Sequence, residues 1–105
     1  MKGGYLGAFE ELVLMAVEAL GDDAYGAQLQ RTLERETRRV VSLGAVHASL
    51  ERLEAKGHLE STIGDPTGTR GGRRRRLFAL TRAGRTALRD VHAVRQRLAR
   101  IGASR

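Results

Sequence analysis

Four consecutive arginines, Arg73-Arg74-Arg75-Arg76, are the densest chemical feature of this 105-residue chain. A guanidinium is a planar fork of donors that matches phosphate and carboxylate oxygens, and it stays protonated at any ordinary pH. The chemistry such a run offers is anion capture, and bond making has no comparable support. The three histidines, His47, His58 and His92, show no metal-ligand spacing, and no carboxylate pair is tied to them. No nucleophile sits beside a base, and no glycine loop runs into a lysine. Cysteine is absent, which removes disulfides and thiolate metal sites. The expectation is a protein that is not an enzyme and needs no metal or cofactor.

The charge is unevenly placed. Net charge is +7, yet residues 1–65 carry a balance of −4 and residues 66–105 a balance of +11, with Asp90 the one acid in the second segment. So basic a lobe attracts a polyanion, nucleic acid first and an acidic membrane surface second. Only four aromatic residues occur, Tyr5, Phe9, Tyr25 and Phe78, too few for the stacking platforms of single-strand binders. The longest apolar run, Leu12 to Val17, is far too short to span a bilayer, and Glu10 and Glu11 interrupt the start of the chain before any leader-like stretch. A cytoplasmic protein is the expectation.

Something must position the arginines, and residues 42–57 organise the rest. Ser42 is a good helix N-cap, and Gly57 a good residue for the left-handed stop. Leu43, Val46, Leu50 and Leu53 recur every three or four residues and should face a core. The opposite side carries Gly44, Ala45, Ala48, Arg52 and Ala55, with Glu51 at its edge, and its N-terminal half is bare of long side chains. A bare helix face lets backbone come close to something. The major groove of a duplex is wide enough to be that something.

The other elements follow in order. A first helix is expected over about 8–20, with Phe9, Leu12, Val13, Ala16 and Leu20 on one stripe and Leu14, Met15 and Val17 spreading the apolar surface further. That excess calls for a central place in the core or cover from a second chain. Residues 1–7 read as flexible. Asp22 and Asp23 offer caps for a second helix over about 24–37, with Tyr25, Leu29 and Leu33 inward and Gly26 allowing close approach to a neighbouring helix. Arg38-Arg39 reads as loop, and Val40-Val41 as a short strand. Residues 58–63 alternate as a strand, with Leu59 and Ile63 on one side; 64–72 form a glycine-rich loop expected to be mobile; 74–80 return with Phe78 and Leu80 inward. Thr81 caps a last helix over about 82–101, in which Gly84, Ala87, Val91, Val94, Leu98 and Ile101 make a heptad seam widened by Leu88. A second copy is the simplest cover for that seam.

The whole is mostly α with a small β-hairpin: a winged helix-turn-helix domain over residues 1–80 and a C-terminal dimerisation helix over 81–105. The chain resembles the PadR family of transcriptional regulators. The matching stretches are Leu6 to Met15, Gly21-Asp-Asp-Ala-Tyr-Gly26, Val41 to Val46, Leu50 to Gly57, Gly71 to Arg76, Leu80-Thr81 and Ala83-Gly84. The resemblance implies a dimer built largely by the last helix, repression of nearby genes and, in some members, release of DNA by small hydrophobic or aromatic effectors. The sequence departs from the family at His47, where a tyrosine is usual, and at Arg82, where proline usually follows the Leu-Thr pair; the latter is harmless at a first helical position.

The expected contacts with double-stranded DNA are Ser42, Gly44, Ala45, His47, Ala48 and Ser49 in the groove, Arg52 and Lys56 on phosphate, and Arg73, Arg74, Arg75 and Arg76 on the wing. His47 either touches DNA or pairs with Glu51 in solvent. Tyr25 reads as core rather than as a phosphate contact, though both readings stand, and His58 and His92 read as surface. The expected dimer interface holds Phe9, Leu12, Leu88, Val91, Val94, Leu98 and Ile101, with Glu10, Glu11 and Glu18 facing Arg85, Arg89 or Arg95 of the partner. An effector is expected near Tyr5, Phe9, Met15 and the last helix. The competing reading is a winged-helix interaction module that docks an acidic protein.

Overall fold

Two hydroxyls start the two helices on which the architecture turns. Ser42 Oγ accepts the Ala45 N–H at 3.0 Å, and Thr81 Oγ1 accepts the Gly84 N–H at 3.0 Å. They open α3 (Leu43–Ala55) and α4 (Arg82–Ala103). The structure, a computed structural model, describes residues 6–64 and 75–104. Before these two helices come α1 (Ala8–Leu20), a 3-10 turn (Gly21–Asp23) and α2 (Gly26–Thr37). Strands β1 (Leu59–Ile63) and β2 (Arg76–Leu80) lie between α3 and α4 and pair antiparallel, Leu59 opposite Leu80 and Ile63 opposite Arg76. Among the described residues no helix is long and apolar enough to cross a membrane.

The core forms where α1, α2 and α3 meet and the hairpin closes one side. Leu14, Leu29, Leu50 and Leu53 are fully buried, and each contributes roughly 1.5–3 kcal/mol relative to exposure. Phe78 and Leu80 point into this core as their alternation requires. Helix α3 ends as its glycine demands. Gly57 sits at φ 83°, its N–H bonds to Glu54 O, and the His58 N–H reaches back to Leu53 O at 2.9 Å, which satisfies the last carbonyls.

The chain departs from its sequence pattern in several places, each with a local cause. Helix α2 begins at Gly26 because Asp22 and Asp23 are drawn into the 3-10 turn, and its N-cap, Tyr25, provides no side-chain bond. Tyr25 is only half-buried: its backbone bridges Leu77, and the Phe78 N–H bonds to Ala24 O, so the segment extends the hairpin. Val40 and Val41 form no strand, since α2 side chains take both backbone groups of Val41. Leu43 is 39% exposed and Ile63 60% exposed, both at edges that the core does not reach. His58 is buried at the start of β1. The expectations for residues 1–5 and for the loop 65–74 lie outside the described residues.

Helix α4 divides its seam. Gly84 packs against the His58 carbonyl so closely that any Cβ would overlap it. Leu88 is buried in the chain's own core, with Ala87 and Val91 packed beside it. Leu88, expected at a dimer interface, is therefore a core residue, because its own chain already covers it. Beyond that point Val94, Leu98 and Ile101 are 45%, 62% and 61% exposed, and on α1 so are Leu12 and Met15 at 39% and 40%.

Candidate nucleic-acid interface

The N-terminal half of α3 has the surface that its sequence implies. Ser42, Gly44, Ala45 and Ala48 are exposed, and nothing lies within 4 Å of the position a Gly44 Cβ would take. Ser49 is the exception among the expected groove residues. It is 0% exposed, turned beneath the helix, with Oγ accepting Arg52 Nη2 at 3.1 Å. It belongs to the core side and cannot touch a duplex.

His47 is exposed and stands against the first turn of α2. A Cβ built on Gly26 would lie 2.7 Å from His47 Cε1, so glycine is what lets the ring seat there. The expected close approach at Gly26 is thus to a helix, through this imidazole. Beside it opens a cleft of about 260 Å³ between α2, α3 and the hairpin, lined by Tyr25, Leu43, Glu51, Arg75 and Phe78 among others. The Arg75 guanidinium lies 4.2 Å from the centre of the Tyr25 ring, a cation–π contact that aims the side chain, and it makes no hydrogen bond among the described residues.

The remaining cations divide into committed and uncommitted ones. Arg76 donates to Glu54 Oε1 at 2.5 Å and to Ser61 Oγ at 3.0 Å, and so braces the hairpin against α3. Lys56 and Arg52, expected on phosphate, both turn to Glu10 of α1: Lys56 Nζ at 2.9 Å and Arg52 Nε at 3.3 Å. Arg52 stays 57% exposed and keeps donors for a second partner, whereas Lys56 is 31% exposed. Arg73 and Arg74 lie outside the described residues.

Glu10 carries the electrostatics behind this surface. Burial alone would push its carboxyl up. The hydrogen bonds from Lys56, the Gly7 N–H and Arg52 outweigh that and hold it below the usual glutamate range. Glu11, next in sequence, points the other way and receives Arg95 of α4 at 2.7 and 3.1 Å, with His92 at 3.9 Å. The Glu11–Arg95 pair expected between two chains is therefore made within one. Both carboxylates are about 7% exposed, which composition did not reveal; their place in the first turn of an otherwise apolar helix was the available signal.

A helix-turn-helix whose second helix shows a bare, exposed face beside a basic hairpin is the framework of a DNA-binding regulator. The chain belongs to the transcriptional regulator PadR-like family, whose model matches residues 13–90. Its members are transcription regulators and not enzymes. The fold is shared with a PadR family transcription regulator from Clostridium difficile, 21% identical, with a TM-score of 0.75 over 93% of this chain and 97% of that one. A PadR-like transcription factor from Bacteroides fragilis is 22% identical, with a TM-score of 0.72 over 91% and 87%. A PadR family transcriptional regulator from Eggerthella lenta is 26% identical, with a TM-score of 0.67 over 89% and 79%. Among curated proteins none matches this chain.

Proposed function

We propose that two copies of this chain form a homodimeric repressor that sets each α3 into a major groove of double-stranded DNA. Ser42, Gly44, Ala45, His47 and Ala48 face the groove, and Arg75 meets the adjoining backbone, with the charge of Arg73 and Arg74, next to it in sequence, added to its own. Small residues read bases weakly, so discrimination comes mainly from DNA shape and half-site spacing, about 10 bp in an inverted repeat. The observation that carries this reading is the bare outer half of α3, exposed in front and tied to α1 from behind through Arg52 and Lys56.

Residues 1–80 form the DNA-binding unit in this reading, and 81–105 the dimerisation arm. Val94, Leu98 and Ile101, together with Phe9, Leu12 and Met15, supply the apolar surface for a partner, with Val91 at its inner edge. Small-molecule release is part of the proposal. An effector would sit near Phe9, Met15 and α4; the groove of about 530 Å³ between α1 and α4 is lined mainly by polar and charged side chains, among them Glu18, Arg85, Arg89 and His92, and does not itself suit an apolar molecule.

Mobility shift with duplex DNA from around its own gene tests the first part. A shift that weakens steeply with salt is expected, since each neutralised phosphate releases counterions. No shift in dilute buffer, together with capture of an acidic protein, would establish the docking-module reading instead. Sedimentation of Leu98→Asp/Ile101→Asp tests the second part. The double variant should be monomeric and folded, and a persistent dimer would place the interface elsewhere.

A further inference from the structure

The short turn between α2 and α3 is built in an unusual way. Arg38 takes the left-handed conformation, φ 57° and ψ 36°, and among the described residues it is the one non-glycine with positive φ. A glycine relieves the Cβ clash of this conformation and is the common choice where a helix ends so. The chain places an arginine there, and a second one next to it.

The turn is also fastened from several directions. The Arg38 N–H bonds to Glu34 O at 2.9 Å, and the Arg39 N–H to Thr37 Oγ1 at 3.3 Å. Val41 is held at both backbone groups, its N–H by Glu34 Oε2 at 3.0 Å and its carbonyl by Gln30 Nε2 at 2.9 Å. Arg38 and Arg39 are exposed on this fixed backbone, Val40 is 94% exposed, and α3 starts three residues on. Neither guanidinium has a partner among the described residues. Arginines on the preceding helix differ: Arg35 pairs with Glu36, and Arg31 donates to Gln28.

We propose that Arg38 and Arg39 form a phosphate clamp on double-stranded DNA, gripping the backbone at the groove edge where α3 enters. This rests on the DNA-binding reading above and adds to it a contact separate from α3 and from the wing. A rigid turn suits the role because a charged side chain on fixed backbone loses less freedom on binding. The conformational cost of a left-handed arginine is retained because the position presents charge, which glycine could not do.

Fluorescence anisotropy with two duplexes tests it, one from around its own gene and one of scrambled sequence. Arg38→Gly should hold or raise Tm and yet weaken binding to both duplexes alike, by about 3–10-fold near 0.1 M salt. The slope of log affinity against log salt should fall by about 0.9 for each arginine lost, and Arg38→Gly/Arg39→Gln should lose about twice that. Arg38→Asn, which also tolerates the left-handed region, separates charge from backbone and should behave as Arg38→Gly does. Unchanged affinity and slope in the double variant overturn the clamp, as does a loss confined to one sequence. Failure of the unaltered protein to bind either duplex would instead sink the DNA-binding reading itself.

Discussion

Lys56 at the end of α3 and Glu10 in the first turn of α1 are joined at 2.9 Å, although they lie 46 residues apart. The contact fixes the far end of α3, the helix proposed to face DNA. It also explains why a carboxylate stays charged at a position that is about 7% exposed.

Glu10→Gln should destabilise the fold by about 1.5–3 kcal/mol at neutral pH, the usual range for hydrogen bonds to charged groups. The sign of its pH dependence is fixed. The folded carboxyl titrates below its unfolded counterpart, so its contribution is complete above the unfolded value and fades as pH falls through the folded one. Denaturant melts at pH 7 and in acid should show the two proteins converging as pH drops. A gap independent of pH would mean that the charge of Glu10 is not what stabilises.

Gly26→Ala separates folding from recognition. The added methyl meets His47 Cε1, the far end of a side chain that can swing away, so Tm should change by no more than about 4–8 °C, the equivalent of ~1 kcal/mol in a domain of this size. DNA affinity should fall severalfold, because the ring is displaced from its seat on α2. Full affinity in a stably folded variant would show that the pose of His47 is immaterial to binding.

Gly84→Ala has no such escape. Its methyl would overlap the backbone carbonyl of His58, which also accepts the Thr81 N–H at 3.0 Å. Overpacking against backbone costs about 1–3 kcal/mol or more. Thermal unfolding should register a drop of many degrees, and a wild-type Tm would disprove the close approach of α4 to the His58 backbone.

Arg75→Ala and Arg76→Ala should part company. Arg75 lies over Tyr25 and its guanidinium makes no hydrogen bond among the described residues, so its loss should weaken binding to all duplexes. Arg76 is half-exposed and bonded to Glu54, so its loss should cost stability by about 0–1 kcal/mol and leave affinity nearly intact. Equal affinity losses for the two would show that the Glu54 pair opens on DNA.

Local rules carried the sequence reading far. The caps at Ser42 and Thr81, the glycine stop at Gly57 and the alternation at Phe78 and Leu80 each depend on neighbours within a few residues. The misreadings all needed the third dimension. Ser49, expected in the groove, lies next to Val46 and Leu53 on a helical wheel, and the core spreads past the leucine stripe far enough to bury it. Leu43 had the right spacing and lies where the core has already ended. Arg95 found Glu11 across 84 residues of its own chain, a distance over which no periodicity speaks.

Glu10 and Glu11 are consecutive, yet one is moored to α3 and the other to α4. A single turn of α1 is thus the axle between the two ends of the molecule. The recognition-side helix and the arm share one anchoring point, two neighbouring carboxylates on the first turn of α1.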